Sequence, residues 1–453
     1  MIKRITFLLL VFISLTLNAE IKAPVKLSPK NQQFIQNLPE NYRYGWIEVP
    51  EDYSKPNGRK IQVFYYGTKP GKNNSVPVVV FHGGPGGGSH QYFMALRYVA
   101  QDLNIIFMDE RGTGASTPFP IARKENVNRY KHYLSEAIVK DAERLRKKLY
   151  GNKKWSIAGH SFGSLIVHRY ISMFPKSIHT AHAHGWGLIS NAKEYPELRL
   201  LAHKKALDEY LKKYPEDKKL IQQLTESLTD DDAITQGNLT IRGKSIAHFF
   251  SLLTFGFKNS WPMFHDYLHK QLVVGDEVDK EKFKSMASMM IFQYMNFGES
   301  AFVVNIVFNR LEAYETGKKS LSDFYNELFI KMEKEGNDVS KWPIGEEAMA
   351  HSGLESPVLN MIDKMDLGKF KHLRLKDVEM SLKKYQNLKL YLYSGELDTF
   401  SPPIIFQESA NLGLDNLIYK NFKHSGHEGF MSEYEIWQTI ISATKMKLPE
   451  IVK

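Results

Sequence analysis

Three short apolar runs set the architecture that the chain predicts. "VPVVVFHGG", "LNIIFMDERG" and "WSIAGHS" each climb through hydrophobic residues and stop at small or polar ones. Runs of this length without alternation suit strands buried on both faces of a parallel sheet. Before them, "YGWIEVP" and "IQVFYYGTK" alternate as strands around the turn-like "SKPNGRK". Helical periodicity fills the gaps. "NRYKHYLSEAIVKDAERLRKKLYG" reads as one helix closed by Gly151, and "SLIVHRYISMF" stops ahead of Pro175. Strand and helix in alternation predict a doubly wound, mostly parallel α/β sheet. From about residue 190 to 373 the alternation gives way to helical, aromatic-rich and charged sequence. "LKLYLYSGELD" and "NLIYKNFKHSGHEGF" then return to buried strands ending in polar loops. The expected organisation is therefore a core in two segments, 20–189 and 374–453, around a helical insertion at 190–373.

The first nineteen residues follow a different pattern. "MIKR" gives a basic start, "ITFLLLVFISLTL" an apolar stretch and "NAE" a small-residue end, as in a secretory signal peptide cleaved after Ala19. The apolar stretch is short for a membrane span of about 20 residues, and no cysteine follows it to carry a lipid. The expectation is an exported protein, periplasmic or secreted, beginning at Glu20 and without a stable membrane anchor. Composition adds exclusions. The 453 residues contain no cysteine, which removes disulfides, thiolate metal sites and a cysteine nucleophile. The formal charge of +10, or +8 without Lys3 and Arg4, comes from lysines scattered through solvated runs. No arginine-rich or aromatic-interleaved stripe suggests nucleic acid.

The chemistry concentrates at strand ends, where open α/β sheets place their sites. "GHSFGS", Gly159–Ser164, is G-x-S-x-G between a strand and a helix, which presents Ser161 on a tight turn as a nucleophile. A serine needs a base. "SGHEGF" supplies His427 after the last strand and "SGELDTFSPP" supplies Asp398 after the one before it. The order Ser…Asp…His suits a triad in which His427 takes the serine proton and Asp398 orients the imidazole. His424 and Glu396 are the nearby competitors. The turn "HGGPGGGS" lacks the pattern of a phosphate cradle. Beside a serine nucleophile it reads as the source of an oxyanion-binding N–H from Gly84, with Gly83 next, opposite the N–H of Phe162. Each such donor contributes about 3–4 kcal/mol against a tetrahedral oxyanion.

"HGGPGGGS", "MDERGTGAST" and "GHSFGS", followed by "GELDTFSPP" and "GHEGF", resemble the proline iminopeptidase-like serine aminopeptidases of the α/β-hydrolase superfamily. "VPEDYSKPNGRKIQVFYYG" also resembles the opening segment of their exported tripeptidyl-aminopeptidase relatives. The resemblance covers both core segments and is weak through the insertion. It implies an α/β-hydrolase fold with a helical cap at 190–373, and triad roles for Ser161, Asp398 and His427. It further implies a peptide substrate with a free N-terminus, and neither cofactor nor metal. Glu110 stands where the family usually has glutamine, and the cysteines common in secreted relatives are missing. An aminopeptidase must pair the substrate's ammonium, because a partly buried charge is costly alone. Within the cap, "NFGESAF" offers Glu299 for this, and Glu312 and Glu315 come next. An esterase or amidase could use the same triad. An aspartate nucleophile, as in dehalogenases, is absent from the elbow, and a non-catalytic scaffold normally loses triad members.

Weaker signals read as structural. Asp109 and Arg111 in "DERGTG" suggest an ion pair beside the site. His182 and His184 share a strand face that could bind zinc, but no third ligand is evident. The aromatics Phe249, Phe250, Phe255 and Trp261 suit the cap's core.

Overall fold

The computed structural model describes residues 22–69, 75–97, 103–120, 123–191, 194–236, 239–255, 260–275, 277–294, 321–337, 354–355 and 371–445. The leader-like residues 1–19 lie outside them. Eight core strands form one sheet: β1 (Tyr42–Pro50), β2 (Lys60–Thr68), β3 (Val78–Phe81), β4 (Ile105–Met108), β5 (Trp155–His160), β6 (Ile178–His184), β7 (Lys389–Gly395) and β8 (Leu417–Phe422). Their spatial order is β1-β2-β4-β3-β5-β6-β7-β8. The alternating pair β1 and β2 forms an antiparallel hairpin, and β2 meets β4 antiparallel. The other pairings, from β4 through β8, are parallel.

The apolar runs account for that arrangement. Every residue of β3, β4 and β5 is buried, so these strands sit where both faces are covered. Along the chain the helices used below are α1 (His90–Leu96), α2 (Ser135–Tyr150), α3 (Phe162–Met173), α4 (Tyr195–Lys213), α5 (Asp217–Ser227), α6 (Trp261–Tyr267) and α7 (Tyr434–Thr444). On one face Ile138, Leu145, Ile166 and Tyr170 of α2 and α3 pack on Val79, Phe81 and Ile157. On the other, Leu96 of α1 and Ile436, Trp437 and Ile440 of α7 pack with Phe64, Val80 and Phe107. Burial at about 25 cal/mol per Å² of apolar surface is the main stabilising contribution.

The chain reads as one helix from Asn128 to Tyr150 but folds otherwise. A short helical turn, Val127–Tyr130, and a 3-10 turn, Lys131–Tyr133, come first. Leu134 is then extended at φ −82°, ψ 171°, and α2 begins at Ser135. The His132 carbonyl accepts from Arg111 Nη1 at 2.6 Å, and Tyr130 and Tyr133 pack on Phe119. Tertiary partners thus override local propensity there. Gly151 does close α2, at φ 60°, with its N–H on the Lys147 carbonyl.

Arg111 also corrects the expected Asp109–Arg111 pair. Its guanidinium is fully buried and bidentate on Asp141, at 2.7 and 2.6 Å, and donates as well to the carbonyls of Glu51 and Pro50. Asp109 accepts instead from Ser89 N–H and Oγ and from Ala115 N–H. Each buried charge therefore has its own set of partners, as desolvation requires.

Between β6 and β7 the described elements are mainly helical. Leu200, Tyr210, Ile221, Ile246, Phe250, Trp261, Phe264 and Phe283 make a separate apolar core, which also takes in Phe119, Tyr130 and Tyr133. Phe250 and Trp261 are thus interior residues, and the side chains of Phe249 and Phe255 lie outside the described ones. Among the described residues no helix is long and apolar enough to cross a membrane.

Histidines make this interior sensitive to acid. Burial pushes His182, His184 and His203 down to about 3. Below about pH 6.5 the unfolded chain takes up protons at these rings that the folded chain does not. Stability therefore falls as pH falls, by about 1.4 kcal/mol per unit for each histidine, until the folded values are reached. We expect the melting temperature to drop steeply from about pH 6.5 to about pH 5. A melting temperature that stays level across that range contradicts this account of the buried rings.

Candidate active site

Ser161 lies between β5 and α3 with φ 55° and ψ −121°, and no other described residue besides glycine has a positive φ. L-residues avoid this region, at a cost of about 1–3 kcal/mol, unless surrounding structure enforces it. Two glycines make the turn sterically possible. A Cβ on Gly159 would lie 2.2 Å from the Gly163 carbonyl oxygen, and one on Gly163 would lie 2.2 Å from that of Phe81. Ser161 N–H donates to the His184 carbonyl at 2.8 Å. Ser164 Oγ also reaches that oxygen, at 2.6 Å, so β6 pins the turn.

Two neighbouring loops bring the partners. His427 Nε2 is 2.9 Å from Ser161 Oγ, and His427 Nδ1 is 2.9 Å from Asp398 Oδ2. Asp398 Oδ1 accepts from the N–H groups of Phe400 and Ser401, at 2.9 and 2.8 Å. The carboxylate is thus fully engaged and nearly inaccessible, which fixes its orientation toward the ring. Neither competitor is in this arrangement, because His424 and Glu396 are exposed.

The glycine turn approaches the serine closely. A Cβ on Gly83 would stand 3.0 Å from Ser161 Cβ and 2.6 Å from Tyr92 Oη. Gly83 N–H already donates to Tyr92 Oη at 2.8 Å, which removes Gly83 as an oxyanion donor and leaves Gly84, at φ 132°, as the candidate from this turn. Phe162 is the first residue of α3, where N–H groups have no intrahelical acceptor. Glu110 is buried with Oε2 3.8 Å from His82 Nε2. Glu299, Glu312 and Glu315 lie outside the described residues.

A second line of hydrogen bonds runs beneath the first, and the motifs do not reveal it. Tyr92 Oη meets His160 Nδ1 at 2.5 Å, and His160 Nε2 meets the His427 carbonyl at 2.5 Å. The proton directions follow from the partners. A carbonyl only accepts, so His160 Nε2 carries the hydrogen. Burial, with His427 and His184 alongside, holds His160 well below the usual histidine range, so its Nδ1 accepts from Tyr92 O–H. Burial likewise raises the Tyr92 phenol, which keeps that proton in place. The line therefore runs from Gly83 N–H through Tyr92 and His160 to the main chain of His427. His160 sits inside G-x-S-x-G and could have been noticed there, but nothing in the sequence marks Tyr92.

Among the described residues, His182 and His184 are not part of a cluster of three potential metal ligands. His182 stacks on Tyr391 at 4.7 Å and is within 3.2 Å of Tyr393 Oη and Thr180 Oγ1. His184 packs near His160 and Phe430, and neither of its nitrogens has a hydrogen-bond partner among the described residues. A cavity of about 520 Å³ opens beside Asp398. Leu198, Ala202 and Glu209 of α4, Trp261, Glu396 and Pro402 are among its lining residues.

Residues 76–225 match the family described as alpha/beta hydrolase fold. Proline iminopeptidase aneH of Aspergillus aculeatus is 30% identical over 217 residues, 43% of this chain and 48% of that protein. A proline iminopeptidase of Aeromonas sobria is 24% identical over 203 residues, 41% of this chain and 48% of that one. The chain thus spans about half the length of these curated relatives. Among solved structures, MGS-M2, an alpha/beta hydrolase enzyme from a Medee basin deep-sea metagenome library, aligns with 12% identity and a TM-score of 0.42. That alignment covers 87% of this chain and 99% of the other.

Tyr92→Phe tests the lower line of bonds. It leaves Gly83 N–H and His160 Nδ1 without their partner, at about 1–3 kcal/mol for each buried group. Denaturant unfolding should show that loss, and amide exchange at Gly83 should quicken. Unchanged stability together with unchanged exchange contradicts the assignment.

Proposed function

We propose that this chain, whose fold is that of the alpha/beta hydrolases, is a serine aminopeptidase that removes N-terminal proline or a short N-terminal peptide. The observation that carries the reading is the line Ser161 Oγ, His427 Nε2, His427 Nδ1, Asp398 Oδ2, with both contacts at 2.9 Å. In the proposed reaction Ser161 Oγ attacks the scissile carbonyl while His427 Nε2 takes its proton. Asp398 holds the imidazole in the required tautomer and stabilises the imidazolium. The N–H groups of Phe162 and Gly84 face the developing oxyanion. His427 returns the proton to the leaving amine, and water then enters by the same base to hydrolyse the acyl-enzyme. These steps are carried by protein groups alone.

The peptidase part of the reading is supported by similarity to proline iminopeptidases over 43% and 41% of the chain. A free N-terminus needs a carboxylate near the acyl site. Glu299 is the candidate from the sequence, and Glu209 is a cap carboxylate facing the cavity beside Asp398. We also place the enzyme outside the cytoplasm, on the strength of the leader-like residues 1–19.

The test compares chromogenic prolyl, alanyl and tripeptidyl amides with free and acetylated N-termini. Free-amine substrates should be cleaved and acetylated ones left intact. Either Glu299→Gln or Glu209→Gln should lower kcat/KM on free-amine substrates by about 2–5 kcal/mol, as for a broken buried charge pair, and barely alter cleavage of a small acyl ester. Equal cleavage of free and acetylated substrates would overturn the aminopeptidase reading in favour of an esterase or amidase. For export, the protein recovered from the cell envelope should begin at Glu20. A full-length chain held in washed membranes contradicts that.

A further inference from the structure

A second cluster of chemistry-bearing side chains lies in the cap, away from Ser161. Asp217 begins α5, while His265 lies in α6 and His269 in the π-helical turn Leu268–Leu272 that continues it. The Asp217 carboxylate is fully buried, and His265 and His269 are partly exposed. Asp217 Oδ1 lies 3.1 Å from His265 Nδ1 and 2.6 Å from His269 Nε2. The three ligand atoms all fall within 4.8 Å of one another.

We propose that Asp217, His265 and His269 bind a divalent zinc-class ion. A tetrahedral zinc with bonds of about 2.0–2.1 Å sets its ligand atoms roughly 3.3–3.4 Å apart, so the ion would spread the carboxylate and the two rings by less than about 1 Å. Two imidazoles and one carboxylate suit zinc. Magnesium and calcium prefer oxygen throughout. Three protein ligands leave a fourth position for water.

Three surrounding features fit a ligand site better than an ordinary hydrogen-bonded cluster. With Nδ1 of His265 on the ion, its Nε2 must carry the proton, and Glu216 Oε1 lies 3.8 Å from that nitrogen. At that distance, beyond hydrogen-bond reach, the carboxylate acts as a nearby negative charge that favours a cation-bound imidazole. Tyr214 stacks on the His265 ring at 4.2 Å and 17°, which restricts its rotation. The π-helical turn is rare in regular helices and recurs at functional sites; here it carries His269 to within reach of Asp217. The ion would join the start of α5 to the end of α6. Tyr210 Oη donates to the same carboxylate, and its neighbour Glu209 lines the cavity beside Asp398. Occupancy would therefore brace the cap wall of that cavity. The histidines are four residues apart, but Asp217 is 48 residues before His265, so the trio has no compact motif.

The experiment uses the untagged full chain after treatment with a chelator. Titration with Zn²⁺ should show one equivalent bound, and Co²⁺ should give visible absorption bands of a site with nitrogen and oxygen ligands. At about a hundred times its Kd, Zn²⁺ should raise the melting temperature by about 3 °C, and Mg²⁺ should not. His269→Ala, at a partly exposed position, should weaken Zn²⁺ binding at least tenfold and abolish the melting shift. Glu216→Gln should weaken binding by about tenfold while leaving one equivalent. The proposal is overturned if the wild-type chain binds less than one equivalent. It is equally overturned if a His265→Ala, His269→Ala double variant binds as the wild type does, or if Mg²⁺ produces the same shift.

Discussion

Everything at the site depends on one backbone constraint, the left-handed conformation of Ser161 at φ 55°. A β-strand and a helix can meet this sharply only if their backbones nearly touch, and Gly159 and Gly163 permit it where a Cβ would collide. The conformation costs about 1–3 kcal/mol, and bonds from Ser161 N–H and Ser164 Oγ to the His184 carbonyl hold it. The strain faces a sheet whose central strands are wholly buried, so the turn cannot relax without disturbing the core. That fixed point then determines where the loops after β7 and β8 must deliver Asp398 and His427.

The serine turn is also held from below. Gly83, Tyr92, His160 and the His427 main chain form a line of hydrogen bonds with only one consistent arrangement of protons. The glycine turn and the histidine loop are thereby connected through the residue next to Ser161. Two loops far apart in sequence are kept in register by a histidine that does not itself touch Ser161 Oγ. The neutral state of that histidine follows from burial, so the same desolvation that orders the site also makes the fold sensitive to acid.

Much of this was legible in the sequence, for physical reasons. Unbroken apolar runs such as "VVVF" and "IIFM" can only be interior strands in a sheet covered on both faces, and strand ends are where polar residues can stay accessible. Ser161 and Asp398 were readable because each follows a largely buried strand, His427 because its polar loop follows the edge strand β8, and the histidine lies within hydrogen-bond reach of both others. What escaped is what depends on distant partners. Arg111 chose Asp141 over Asp109, and the His132 carbonyl it captures helps to break a helix that local periodicity favours. Tyr92 carries no motif, and the Asp217, His265 and His269 cluster forms only when α5 meets α6 and the π-helical turn that continues it. Glu299, set among apolar and aromatic neighbours in "NFGESAF", lies outside the described residues.

The central claim is that Ser161 is the nucleophile, activated by His427. It is tested most directly by treating the protein with a fluorophosphonate and locating the adduct by peptide mass analysis. The account predicts one adduct, on the peptide containing Ser161, which disappears in Ser161→Ala and forms much more slowly in His427→Ala. An adduct on a different serine, or labelling that persists in Ser161→Ala, contradicts it.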